Sequence, residues 1–246
     1  MKKEMLSSRV IEWVRDWFEE NGRETAVLGI SGGKDSAAVA ALLVHAIGKD
    51  NVVGVLIPDG EQKDIDDSIR VVEELGIRSY TVNIGAAHKA LSGAVAAAIG
   101  APVSEDAEVN VPPRLRMTVL YTVAQTLSNR EQAKACVIGT GNAAELYVGY
   151  CTKWGDMGSD MNPLKNLWVD EVLQIGDELG YFPDIIHKAP ADGLCGLSDE
   201  DRLGFTYGQV RELNEGVLLD ESIASLIEQK HRAALHKLNP VPGFEE

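Results

Sequence analysis

The chain has 246 residues, of which 45% are hydrophobic and 25% charged, and a formal net charge of −15. Those fractions are ordinary for a globular protein long enough to bury a core without disulfides or structural metals. The acidic balance excludes nucleic-acid binding through a basic surface, because that mode depends on Lys and Arg releasing counterions from phosphates.

Leu6, Val10, Trp13, Val14, Trp17 and Phe18 recur at helical spacing, and Asn21-Gly22 is a stop signal. Trp13 and Trp17 read as packing residues. A short buried strand is expected at 26–30, an Ala-rich helix at 36–47 closed by Gly48, and a second strand at 52–57. Residues 64–75 read as a helix closed by Gly76, with Asp64, Asp66 and Asp67 suited to its amino end. A strand follows near 79–82, then a helix at 86–99. Pro112-Pro113 reads as the opening of another helix, since proline is tolerated in a first turn. A later strand is expected at 135–139; 149–163 loses periodicity and gathers Gly, Asp and Asn, as a functional loop does. The remainder, to Leu238, reads as helices.

Strands alternating with helices predict an α/β fold with a central parallel sheet flanked by helices, here as one domain over 1–246. Ligands in such folds bind beyond the carboxyl ends of the strands, which directs attention to the segments after Ile30, Ile57 and Ile138. Cys136, Cys151 and Cys195 are odd in number and widely spaced, so they suggest a reduced, cytoplasmic setting and no zinc site. The amino end lacks the apolar run of a secretory signal, and the 37–47 stretch is too short to span a bilayer. A soluble protein with no membrane partner is expected.

The sharpest motif is Ser31-Gly32-Gly33-Lys34-Asp35-Ser36, between a predicted strand and a predicted helix. Glycines let backbone N–H groups approach phosphate oxygens, and the next helix offers its positive end. It is not a Walker loop, because Asp35 follows Lys34 and position 28 is Leu. An Asp inside a phosphate cradle repels the anion unless a divalent cation such as Mg²⁺ lies between them.

This hexapeptide resembles the pyrophosphate loop of the N-type ATP pyrophosphatases, which adenylate a substrate and release pyrophosphate. The segment Gly139-Thr-Gly-Asn-Ala-Ala-Glu-Leu-Tyr-Val-Gly-Tyr-Cys-Thr-Lys-Trp-Gly-Asp156 closely resembles the signature of the NAD synthetases. Asn110-Val-Pro-Pro-Arg-Leu-Arg-Met117, the loop from Gly60 to Asp67, Asp199 to Gly204 and the His236-Lys237 pair are similar to further elements of that family. The matches run in order from about residue 26 to 237, nearly the whole chain.

The resemblance implies a Rossmann-like three-layer fold of the adenine-nucleotide alpha-hydrolase kind. It also implies amidation of deamido-NAD by ammonia with ATP, by a homodimer. Gly29, Ile30, Ser31, Gly32, Gly33, Lys34, Asp35 and Ser36 would cradle the ATP phosphates, with Gln62 and Thr140 also contacting ATP. Asp35 and Glu145 would hold Mg²⁺. Asn110, Arg114, Lys153, Asp160, His236 and Lys237 would bind deamido-NAD. Asp35 and Lys153 would serve catalysis with Asp156, which would sit near the entering ammonia and take its proton. Arg114 and Arg116 lie two apart and cannot share a helix face, so one is read as a surface charge.

Four positions depart from the family pattern. Leu56 replaces an Arg, Val169 a Lys and Ala191 a Ser or Thr, while Leu238 replaces the Arg after the terminal pair. Lys34 and Lys165 are the candidate substitutes for the lost charge. Because the motifs fill nearly the whole chain, direct use of ammonia is expected. Both implied substrates are anions, so an acidic protein must make one locally positive cleft.

Overall fold

The computed structural model describes residues 4–62, 65–188 and 199–244. In chain order it runs α1 (Leu6–Glu20), β1 (Thr25–Gly29), α2 (Lys34–Ile47), β2 (Val52–Leu56), α3 (Ile65–Leu75) and β3 (Arg78–Thr81). It continues with α4 (Gly85–Ile99), α5 (Glu105–Glu131), β4 (Ala135–Ile138) and α6 (Ala143–Val148). The last elements are α7 (Val169–Leu179), α8 (Pro183–Ile186), α9 (Asp199–Leu203), α10 (Tyr207–Asn214) and α11 (Glu221–Leu238).

Four parallel strands form the sheet in the order β3-β2-β1-β4. Ala26 of β1 pairs with Val52 on one side and Cys136 on the other. The chain steps outward from β1 through β2 to β3, then returns through α4 and α5 to lay β4 on the opposite side of β1. The strand order therefore reverses between β1 and β4. That reversal opens a crevice at their carboxyl ends, where such sheets bind ligands.

Alternation along the strands builds two layers. Val27, Val53, Val55 and Val137 pack toward Ala124 and Leu127 of α5. Ala26, Leu28, Val52, Leu56, Cys136 and Ile138 pack toward α1, α2, α3, α7 and α8. With both faces covered, the strands read as continuous apolar runs. Leu28, Leu42, Leu43 and Phe182 are fully buried, each contributing about 1.5–3 kcal/mol of transfer free energy. A third cluster joins Val148 of α6, Leu203 of α9, Tyr207 and Val210 of α10, and Ile227 of α11. Among the described residues no helix is long and apolar enough to cross a membrane.

Two expectations are corrected. Pro112-Pro113 does not open a helix; α5 starts at Glu105 and passes through both prolines. The stronger start lies upstream, where Ser104 caps Ala107 N and Glu105, Asp106 and Glu108 fill the first turn. Trp13 is 47% exposed, whereas Trp17 packs edge-on against Phe18 at 5.6 Å. Only the second packs against the core, and it is partly buried there.

Candidate active site

The segment after β1 forms a tight cradle. Ser36 Oγ lies 3.1 Å from Ser31 Oγ and donates to the Gly33 carbonyl at 3.0 Å, while Gly33 N donates to Ser31 Oγ. Gly32 has φ +79°, and a Cβ there would come within 3.0–3.1 Å of Asp67 and Ser68 on α3, so glycine is required twice over. Gly33 begins α2 with no side-chain cap. The first backbone N–H groups of that helix are therefore left for an outside acceptor, at the positive end of its dipole.

Lys34 is buried and its ammonium donates to Asp35 Oδ2 at 2.8 Å. Burial alone would lower its pKa, yet Asp35, with Glu145 and Asp199 beyond it, raises it overall. The Lys34 charge thus stands against Asp35 inside the cradle.

Across the switch point, the segment after β4 supplies the second half. Asn142 is fully buried, and its Oδ1 accepts from Ala144 N and Glu145 N at 3.1 Å while Glu145 Oε2 accepts from Asn142 N, a reciprocal cap on α6. The remaining donor of Asn142, Nδ2, reaches Asp35 Oδ1 at 3.1 Å. Burial, and then the charge on Asp35, push the Glu145 carboxyl up to about 8 against the counter-effect of Lys34. With Asn142 bonded to both, the Asp35 and Glu145 carboxyl groups stand together as oxygen donors suited to a hard cation. Among the described residues no cluster of three or more His, Cys, Asp or Glu forms a metal site, so such a cation would draw its other ligands from substrate oxygens and water. Gln62 and Thr140 are half-buried and lie in the segments that follow β2 and β4.

A second group gathers around the loop after α6. Lys237 Nζ donates to the carbonyls of Gly149 and Cys151 at 2.7 and 2.8 Å, and Lys153 Nζ donates to the His236 carbonyl. Gly149, at φ +67°, lets α11 approach so closely that a Cβ would fall 2.4 Å from that of Ala234. Thr152 links the loop to α5 through Asn110 Oδ1 at 2.8 Å, and Thr152 N holds Asp156 Oδ2 at 2.8 Å. Arg114 is exposed and donates to the Lys153 carbonyl at 3.3 Å. A cleft of about 330 Å³ opens beside Gly149, Tyr150, Lys230, His236 and Lys237. Hydrogen bonds thus link Asn110, Arg114, Lys153, His236 and Lys237 around this loop, with the Asp156 carboxylate among them.

Asp160 is placed differently. Its two oxygens accept from Val137 N at 2.8 Å and Tyr121 OH at 3.1 Å, securing the loop to β4. Of the departures, Leu56 ends β2 inside the core, Val169 packs at the start of α7, and Leu238 ends α11; Ala191 lies outside the described residues. Lys165 is exposed. A larger cavity, about 560 Å³, lies at the amino ends of the strands beside Thr25, Asn51 and Arg78, where Arg78 is already paired with Glu131. It is remote from the crevice.

Sequence reasoning gave Asn142 and Arg116 no role. For Asn142 the legible signal was the Asn-x-x-Glu spacing of a helix cap. Arg116 is the half-buried member of its pair, its Nε donating to the Ile57 carbonyl at 3.1 Å.

The family model described as NAD synthase matches residues 6–238. An NH₃-dependent NAD⁺ synthetase of Alkaliphilus metalliredigens is 36% identical over 254 aligned positions, covering 99% of this chain and all of that protein. Among solved structures, the NMN synthetase of Francisella tularensis matches with TM-score 0.86, 33% identity and 97% coverage of both chains. The NAD⁺ synthetase of Burkholderia pseudomallei matches with TM-score 0.75 and 30% identity over 94% of this chain and 88% of the other.

Proposed function

The chain belongs to the NAD synthase family, and from that premise we propose that it amidates deamido-NAD with ammonia, using ATP and releasing NAD, AMP and pyrophosphate. It is a ligase forming a C–N bond, acting at the last step of NAD formation. The observation that carries the reading is the junction of Asp35 and Glu145 through Asn142 beside the uncapped start of α2.

The residues present suit Mg²⁺, with Asp35 and Glu145 as its protein ligands. When bound, Mg²⁺ supplies positive charge to the triphosphate as anions are brought together. Around it the chain's own groups act. The N–H groups at the start of α2, from Lys34 to Ser36, hold the phosphates within the cradle of Gly29 to Gly33, and Gln62 and Thr140 flank the nucleotide. Asn110, Arg114, Lys153, His236 and Lys237 shape the region that receives deamido-NAD, while Asp160 holds the loop beneath it to β4. A carboxylate oxygen of the nicotinate attacks the α-phosphorus, and the bond from that phosphorus to pyrophosphate breaks. Ammonia then attacks the acyl carbon, the C–O bond to AMP breaks, and a proton must leave the nitrogen. Among the described residues the Asp156 carboxylate is held through one oxygen, by Thr152 N, and keeps the other to accept that proton.

The assembly is read as a homodimer. α4 packs on α5 yet leaves Leu91, Val95 and Ile99, at four-residue spacing along one side of the helix, exposed. A contiguous apolar face of this kind suits a second copy related by a two-fold axis. Free Cys136 and Cys151 accord with a reduced cytoplasm.

A second reading keeps the chemistry and shortens the substrate. The Francisella tularensis neighbour is named an NMN synthetase, which favours nicotinate mononucleotide as the acid. The test is one assay with both acids: purified chain, ATP and Mg²⁺, with and without ammonium. Equal yields of NAD and pyrophosphate from deamido-NAD, dependent on ammonium, support the main reading. A higher kcat/KM for the mononucleotide selects the second, and no amide from either acid overturns both.

A further inference from the structure

Among the described residues four arginines are half-buried: Arg70, Arg78, Arg116 and Arg211. Three are held by carboxylates, Arg70 by Glu74 and Asp184, Arg78 by Glu131, and Arg211 by Asp170 and Glu215. Arg116 alone makes no ion pair with any described residue. Its Nε is fixed to the Ile57 carbonyl, one residue beyond the end of β2, which leaves the outer edge of the guanidinium directed away from that bond.

The nearest acids do not serve as its partners. Asp59 and Asp156 act on Arg116 only through space, and burial outweighs them, lowering its pKa. Asp59 Oδ2 is 2.7 Å from His88 Nδ1, and Asp156 accepts from Thr152 N. A guanidinium withdrawn from water without a counter-ion is costly unless an anion arrives to meet it. Its planar fork suits a phosphate.

We propose that Arg116 is a substrate-binding residue that takes the α-phosphate of ATP and, after transfer, the phosphate of the adenylate. The assignment rests on the functional reading above. The loop after β1 takes the terminal phosphates at the start of α2, and Arg116 is tied to the carboxyl end of β2, the strand paired with β1. It also lies within electrostatic reach of Asp156, the acceptor for the nitrogen's proton. The adenylate phosphate is bonded to the oxygen of the acyl group that ammonia attacks. A cation within that reach of Asp156 therefore meets the phosphate nearest the reacting carbon.

The test is equilibrium binding of ATP, AMP and pyrophosphate, each alone, to wild type, Arg116→Gln and Arg116→Lys, with melting temperatures recorded. Losing a charged hydrogen bond of this type corresponds to roughly 10- to 100-fold in affinity. Arg116→Gln is expected to weaken ATP and AMP by at least about 10-fold and to leave pyrophosphate unchanged, with Arg116→Lys between it and wild type. Unchanged AMP affinity in Arg116→Gln overturns the proposal. So does an equal loss for all three ligands with a lowered melting temperature, which marks a prop for the Ile57 carbonyl. Wild type that binds ATP and AMP yet forms no amide overturns the functional reading, while Arg116→Gln still decides this assignment.

Discussion

Asn142 Nδ2 donates to Asp35 Oδ1 at 3.1 Å, so a single amide joins the loop after β1 to the helix start after β4. The same side chain caps α6 through Oδ1. One residue thus sets both the geometry of Asp35 and the position of Glu145. Replacing Asn142 by Ala should cost about 1 kcal/mol through the lost cap, a fall of about 2–4 °C in melting temperature, and lower kcat at least ~10-fold. Asn142→Ser retains a capping oxygen but loses the donor to Asp35, so it should keep most of the stability and still lose turnover. Thermal melts beside steady-state rates separate the two roles.

The carboxylate pair should matter to rate far more than to folding. Asp35→Asn and Glu145→Gln are each expected to depress kcat by at least ~10²-fold, because the charge that holds the cation on the triphosphate is lost. Both are near-isosteric, and circular dichroism should show the wild-type fold. Stripping divalent ions with a chelator should stop pyrophosphate release, and added Mg²⁺ should restore it in wild type only.

His88 on α4 bridges two acids, Asp59 at 2.7 Å after β2 and Glu108 at 2.8 Å on α5. Burial alone would lower its pKa, but the hydrogen bonds to Glu108 and Asp59 outweigh it and raise the pKa above 6.5. A raised folded pKa gives stability that is complete below the unfolded value and lost as pH rises through the folded one. The melting temperature of His88→Gln should therefore fall furthest below wild type, by about 2–4 °C, at pH values under about 6.5. The gap should narrow as pH rises above that value. A gap that is constant or widens with pH contradicts the ion-pair account of His88.

The apolar face of α4 should hold two copies together. Leu91→Asp combined with Ile99→Asp, at two positions 45% and 62% exposed, is expected to shift sedimentation from dimer to monomer while wild-type helix content is kept. A wild type that sediments as a monomer contradicts the dimer reading.

Much of this was legible in the sequence because local chemistry and tertiary context agree there. The Ser31 to Ser36 cradle needs Gly32 for a positive φ, and the strand and helix around it have apolar patterns that suit both buried faces. The start of α5 was misplaced because proline dominates local reading, whereas Ser104 and three acids upstream fix the actual end. The roles of Asn142 and Arg116 depend on partners 107 and 59 residues away, Asp35 and Ile57, and no local pattern carries such distances. Trp13 carries the same helical spacing as Val14, yet a helix face tells only which residues share a side and not where the core ends.

The route through an acyl-adenylate can be read from one isotope. Deamido-NAD carrying ¹⁸O in its carboxylate is incubated with the chain, ATP, Mg²⁺ and ammonium, and AMP is examined by mass spectrometry. If the carboxylate attacks the α-phosphorus and ammonia then cleaves the C–O bond, each AMP carries one ¹⁸O from a doubly labelled carboxylate. Unlabelled AMP formed alongside NAD contradicts that route and the roles assigned to Asp35, Glu145 and Asp156 within it.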